Sequence, residues 1–192
     1  MVKVQRKTIA ECATVISGVL EQKKSNNNTV EFVAVMPNQI TPDGFGDDYG
    51  KIQRNPEGLL PYLMPGDIII KRLNPDSAIV FSDTSVKALP SANLFVIRPE
   101  TNLLDPCYLA FILESSKVIN RISQRSGIGT AVSAVTASQI ENCEIPLPSL
   151  EQQKKIGTLW ECIKKQKRLL QGLITENNRL LQSISEKLYQ LI

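Results

Sequence analysis

From Ser149 to Ile192 the chain contains no proline, and its apolar residues recur every seven positions at Ile156, Ile163, Leu170, Ile184 and Leu191, with Asn177 in the same phase. Trp160, Ile174, Leu181 and Leu188 form a second row four residues on, and Lys167 interrupts it. Two rows sustained over five heptads describe a coiled-coil seam. Ser149 and Gln152 have the spacing of a capping box, so the helix is expected to start there. About 38 residues at 1.5 Å each would reach roughly 57 Å, too far for a small domain to cover from one side. A second helix of the same kind is the expected cover. Gly172 in mid-helix costs about 1 kcal/mol against alanine, and a polar seam residue such as Asn177 selects register at the expense of stability.

Ahead of this helix, residues 1–148 read as an α+β domain, with 149–192 as a long helix that pairs with another. Strand-like runs fall at TVEFVAVM, IIIKRL, SAIVFSD and within VKALPSANLFVIRPE. Between the first two, PNQITPDGFGDDYGKIQRNPEG is long and rich in Gly, Pro, Asp and Asn, and reads as a functional or mobile connection. DPCYLAFILESSKVINRIS reads as one helix, capped by Asp105 with Pro106 at its first position. Its buried stripe is expected from Tyr108, Leu109, Ile112, Leu113, Val118, Ile119 and Ile122. The prolines of IPLP restrict the backbone where domain meets helix, so the helix should leave at a defined angle. Local physics equally allows them merely to stop a strand.

The chain's 192 residues and 42% apolar content suffice for one core plus an extension. The net charge of +3 is uneven: residues 1–150 hold 14 Lys+Arg against 15 Asp+Glu, and 151–192 hold 8 against 4. A polyanion must therefore be met by local patches. Cys12, Cys107, Cys143 and Cys162 show no paired spacing and read as reduced thiols. The apolar stretch TIAECATVISGVL lacks a cleavage pattern and no run reaches the ~20 residues of a membrane span, so a cytoplasmic protein is expected.

With no histidine, imidazole-based triads and His-containing zinc sites are excluded. GFG and GIG do not stand in a strand-turn-helix unit and make no phosphate loop. Asp43, Asp47 and Asp48 are the best acidic cluster, in a loop where solvated turn residues are the usual finding. Basic and amide side chains gather at Lys23, Lys24, Asn26, Asn27 and Asn28; at Lys51, Gln53 and Arg54; at Lys71 and Arg72; and at Arg121, Gln124, Arg125, Ser126 and Thr130. Nucleic acid asks for this mixture, since Lys and Arg satisfy phosphates while Arg, Asn and Gln read base edges.

Three stretches together resemble one half of the specificity subunit of type I restriction-modification systems. They are TIAECATVISG; PGDIIIKR with NLFVIRPE and DPCYLAFILESS; and SGIGTAVSAVTASQIENCEIPLPSLEQQKKI. Family members usually carry two recognition domains and two spacers where this chain has one of each, and LNPDSA replaces the glycines often found after GDIIIKR. The resemblance implies a non-catalytic subunit without a cofactor of its own, reading half of a bipartite double-stranded DNA site. It would position a methyltransferase subunit, which carries S-adenosylmethionine, and a restriction (motor-nuclease) subunit. A homodimer through antiparallel C-terminal helices would rebuild the two-domain molecule. The resemblance carries Gln124, Arg125, Ser126, Thr130, Lys71 and Arg72 over as DNA contacts; chemistry alone adds Lys23, Lys24, Asn28 and Arg54. Dimerisation falls to Ile156, Trp160, Ile163, Leu170, Ile174, Asn177, Leu181, Ile184 and Leu188. Two other readings stay open: a small metal-dependent nuclease built on Asp43, Asp47 and Asp48, and a coiled-coil scaffold that does not touch DNA.

Overall fold

Three consecutive isoleucines at 68–70 leave no room for a polar face, so a strand made from them must be covered on both sides. In the computed structural model, which describes residues 4–22, 29–42, 44–46, 48–123 and 134–189, this is what happens. Strands β1 (Gln5–Thr8), β2 (Ala13–Ser17), β3 (Val30–Val35), β4 (Ile40–Thr41), β5 (Gly44–Phe45) and β6 (Gly50–Arg54) precede β7 (Ile68–Lys71). β8 (Ala78–Val80), β9 (Leu89–Pro90) and β10 (Leu94–Pro99) follow, then helices α1 (Pro106–Leu113), α2 (Ser116–Ser123) and α3 (Ala137–Glu141), strand β11 (Glu144–Leu147) and helix α4 (Leu150–Tyr189). The fold is α+β, as expected.

The central sheet runs β2-β10-β7-β8, antiparallel throughout, with Phe95 opposite Ile70 and Ile97 opposite Ile68. Alternate side chains point to opposite faces. Ile68, Ile70, Phe95 and Ile97 pack with Leu109, Leu113, Val118, Ile122 and Ile140 from the helices. On the other face Ile69, Leu94 and Val96 meet Val35, Ile40 and Phe81. A second sheet, β6-β3-β9, packs Ala34, Ile52 and Leu89 with Val19. The turn that feeds β7 is set by Pro65-Gly66-Asp67. Gly66 sits at φ +91°, which favours glycine at this place after proline. Asp67 closes the turn by accepting the Met64 N–H at 2.8 Å, and Arg98 of β10 grips its carboxylate at 2.8 and 2.7 Å.

In this part of the chain two expectations are corrected. Residues 37–58 are not a structureless connection: they form β4, β5 and β6, and β6 pairs antiparallel with β3 over its whole length. The helix expected over 105–123 breaks at Glu114–Ser115 into α1 and α2, with Ser115 Oγ donating to Ile112 O at 2.7 Å. Asp105 does cap α1, accepting the Tyr108 N–H at 2.9 Å, with Pro106 first. Pro146 lies inside β11, paired to Arg6 of β1, so IPLP is strand as well as connector.

What directs α4 is packing along α1. Gln153, 1% exposed, accepts the Asp105 N–H at 2.9 Å and donates to Leu103 O at 3.1 Å and Pro148 O at 2.9 Å. One turn on, Gly157 allows the closest approach of α4 to α1: a Cβ there would meet Asp105 Oδ1 at 2.6 Å and the Tyr108 backbone nitrogen at 2.9 Å. Ile156 and Trp160, expected on the bare seam, instead lie against the domain's own core. Ile156 lies between Gln153 and Gly157, and Trp160 follows one turn after Gly157, on the stretch of α4 that packs on α1. Among the described residues, no helix is long and apolar enough to cross a membrane.

Candidate nucleic-acid interface

Among the described residues, the basic side chains singled out above stand on β6, at the end of β7 and on α2. At the first, the chain at 20–22 runs beside β6: the Gln22 N–H donates to Gln53 O at 2.8 Å, the Asn55 N–H donates to Gln22 Oε1 at 2.8 Å, and Arg54 Nη1 donates to Leu20 O at 3.2 Å. Arg54 stands opposite Val30, the first residue of β3. Gln22 and Val30 are therefore both beside Arg54; Lys23, Lys24 and Asn28 lie outside the described residues, as do Asn26 and Asn27. Next along β6, exposed Lys51 pairs with Glu31 at 2.8 Å and Gln53 Nε2 reaches the same carboxylate at 3.4 Å. The hydrogen bond it donates to Glu31 raises the Lys51 ammonium above its ordinary range. This organised trio on the β3–β6 surface arises from strand pairing, which the loop reading of 37–58 hid.

The second place is the end of β7. Lys71 faces Asp76 at 3.5 Å, and the Arg72 guanidinium lies 4.8 Å over the Phe95 ring. Arg72 Nε is buried without an acceptor among the described residues. Leu73 bridges to Ala134, and the Val135 N–H donates to Arg72 O at 2.9 Å. Ala134 and Val135 are thus tied to the strand end that carries Lys71 and Arg72. Gln124, Arg125, Ser126 and Thr130 themselves lie outside the described residues. Arg121, on α2, donates to Glu144 O at 3.3 Å.

Asp43 and Asp47 also lie outside the described residues, and Asp48 is exposed. Among the described residues, no three Asp, Glu, Cys or His side chains converge as a metal site would require. Tyr49 and Asp83 form the nearby polar pair. The tyrosine donates to the carboxylate at 2.7 Å, and burial, aided by that bond, pushes its hydroxyl up to about 12. The Asp83 carboxyl is held low, chiefly by Ser85.

Along its length α4 presents uncovered apolar side chains at Leu159, Ile163, Leu169, Leu170, Leu173, Ile174, Leu180, Leu181, Ile184 and Leu188. Leu170 is 54% exposed and Leu181 66%, values for solvent-facing residues, not for a core. Ile163, Leu170, Ile174, Leu181, Ile184 and Leu188 are the dimerisation residues that stay open, with Asn177 exposed among them.

A family model described as type I restriction modification DNA specificity domain matches residues 1–178. The putative type I restriction enzyme MjaX specificity subunit of Methanocaldococcus jannaschii is 27% identical over 135 residues, covering 68% of this chain and 31% of that protein. The HsdS subunit from Thermoanaerobacter tengcongensis superposes with a TM-score of 0.64 at 19% identity, over 94% of this chain and 46% of that one. The S subunit from M. genitalium gives 0.60 at 16%, over 98% and 46%. A chain solved in work on complex assembly and conformational transition of the type I R-M system gives 0.65 at 20%, over 95% and 49%. The chain therefore spans about half the length of these solved chains and about a third of the curated relative.

Proposed function

This chain belongs to the type I restriction-modification DNA specificity family, and from that premise we propose that it is a half-length recognition subunit that reads one half of a bipartite DNA site and pairs with a second copy through α4. The observation that carries this reading is the uncovered apolar face between Ile163 and Leu188. Six large side chains on one face of a helix, each about half exposed, are worth on the order of 1 kcal/mol apiece when covered. A second α4, antiparallel, would cover them and place a domain at each end. An isologous pair of this kind is the commonest closed arrangement, and it would rebuild the doubled length of the solved relatives.

In this reading the chain neither cuts nor methylates. It brings a methyltransferase subunit and a restriction subunit to the site that its domains select. Lys23, Lys24, Asn28 and Arg54 form one DNA-facing group, Lys71, Arg72, Gln124, Arg125, Ser126 and Thr130 a second. Phosphate contacts from the lysines hold the register, and paired hydrogen bonds from Arg, Asn and Gln select bases.

Two measurements test it. Light scattering on the purified chain should give twice 21.3 kDa at micromolar concentration, and Leu170→Glu with Leu181→Glu should return one. Co-expression with a companion methyltransferase should methylate a sequence of two separated half-sites. A stable wild-type monomer, or methylation at a single contiguous site, overturns the proposal.

A further inference from the structure

A dimer that measures the distance between two half-sites needs each helix held at one angle to its domain, because any pivot is multiplied along its length. The root contacts at Gln153 and Gly157 lie four residues apart, a baseline of about 6 Å. With 1 Å of play there, the far end of α4, some 48 Å on, would swing by about 8 Å. That exceeds two base-pair steps of about 3.4 Å. The root alone cannot resolve one base pair.

The structure holds a second fixing point. Glu114, at the far end of α1, accepts three donors: the Ala78 N–H at 3.1 Å, Trp160 Nε1 at 3.0 Å and Lys164 Nζ at 2.8 Å. Lys164 also donates to Pro42 O at 2.5 Å, at the tip of the β4–β5 hairpin. Both members of the Glu114–Lys164 pair are largely buried, with side chains 18% and 15% exposed. One turn further, Arg168 lies against Gly44, which sits at φ +132° and where any Cβ would overlap the guanidinium. From Gln153 to Arg168 the baseline becomes about 22 Å, and the same 1 Å of play moves the end of α4 by about 1.4 Å. That is less than half a base-pair step.

We propose that the Glu114–Lys164 junction, seated on the β4–β5 hairpin, is the device that fixes the angle between recognition domain and α4, and so sets how strictly the paired molecule measures the gap between half-sites. The gap rests on the dimeric reading; the fixed angle does not. Lys164 is a positioning residue that acts through α4.

The test uses the full chain, wild type and Lys164→Met, which keeps the aliphatic stem beside Trp160 while removing the donor. Nitroxide labels at Thr14→Cys on β2 and Ser185→Cys on α4, with Cys162 replaced by serine and labelled chain diluted into unlabelled, report the angle as a distance distribution. The Met variant should broaden that distribution at least two-fold with circular dichroism unchanged; an unchanged width overturns the proposal. Selection from a pool of random 40-base-pair duplexes then reads the gap. Wild type should recover paired half-sites at one spacing, and Lys164→Met the same half-sites over two or more spacings. A single spacing for both chains overturns the junction's role and leaves the dimer standing. Unpaired half-sites with wild type overturn the dimer, and the label distances still decide the angle.

Discussion

Two glycines in α4 face opposite physics. A methyl at Gly157 would press on Asp105 Oδ1, Cys107 Cβ and the Tyr108 nitrogen, two of them within 2.9 Å and the third at 2.6 Å, whereas Gly172 has nothing within 4 Å. Alanine gains about 1 kcal/mol of helix propensity at either place. At Gly157 overpacking costs roughly 1–3 kcal/mol and outweighs that gain. Urea melts should therefore show Gly157→Ala destabilised and Gly172→Ala stabilised by up to about 1 kcal/mol. Equal shifts for both would mean that α4 does not sit on α1. The tyrosines allow a second check. Burial holds the Tyr49 and Tyr108 hydroxyls up to about 12, against 10 in an open chain. A raised acid favours the folded state only while it stays protonated there, so this contribution is intact below pH 10 and is lost as pH rises from 10 through 12. Phenolate absorbance of the folded chain should show a late phase near pH 12 that vanishes in Tyr49→Phe/Tyr108→Phe, and the urea midpoint should fall across the same window.

Elements legible in the sequence were those whose signal is local. Asp105-Pro106 marks the start of α1 because cap and first-turn proline act within four residues, and the Ser149 N–H and hydroxyl do meet Gln152 Oε1, both at 3.3 Å. The all-apolar runs at 68–70 and 94–97 announced buried strands. β6 was hidden because GKIQR is mostly polar, and it is a strand only because β3 pairs with it. The break between α1 and α2 was hidden because the apolar spacing carries through Glu114, whose carboxylate is drawn to partners far along the chain. Gln153 carried no signal at all, since an amide among charged helix residues reads as surface until α1 is laid across it. Within α4, Asn177 is the element's own test. If it faces a second helix, Asn177→Leu should tighten pairing roughly tenfold, about 1.4 kcal/mol, and loosen register. Sedimentation measures the first and cysteine cross-linking the second; no change in either would put Asn177 outside the seam.

For the molecule as a whole, α4 is two helices in energetic terms. As far as Arg168 it belongs to the domain, held by Gln153, Gly157, Trp160 and Lys164. Beyond it, from Leu169 to Tyr189, every described residue is exposed. Most helical stability in proteins comes from packing of an apolar face, so on the dimeric reading proposed above this segment owes its order to a second copy. Coverage by a second copy follows mass action and coverage by nothing does not. Hydrogen exchange should therefore divide the helix near residue 168. Amides at 154–168 should exchange at rates that ignore protein concentration, while those at 169–189 should slow as concentration is raised from nanomolar to tens of micromolar. Leu170→Glu with Leu181→Glu should hold the distal amides in the fast regime at every concentration and leave the proximal ones unchanged. If distal protection is the same at both ends of the range in the wild-type chain, α4 is not covered by its twin.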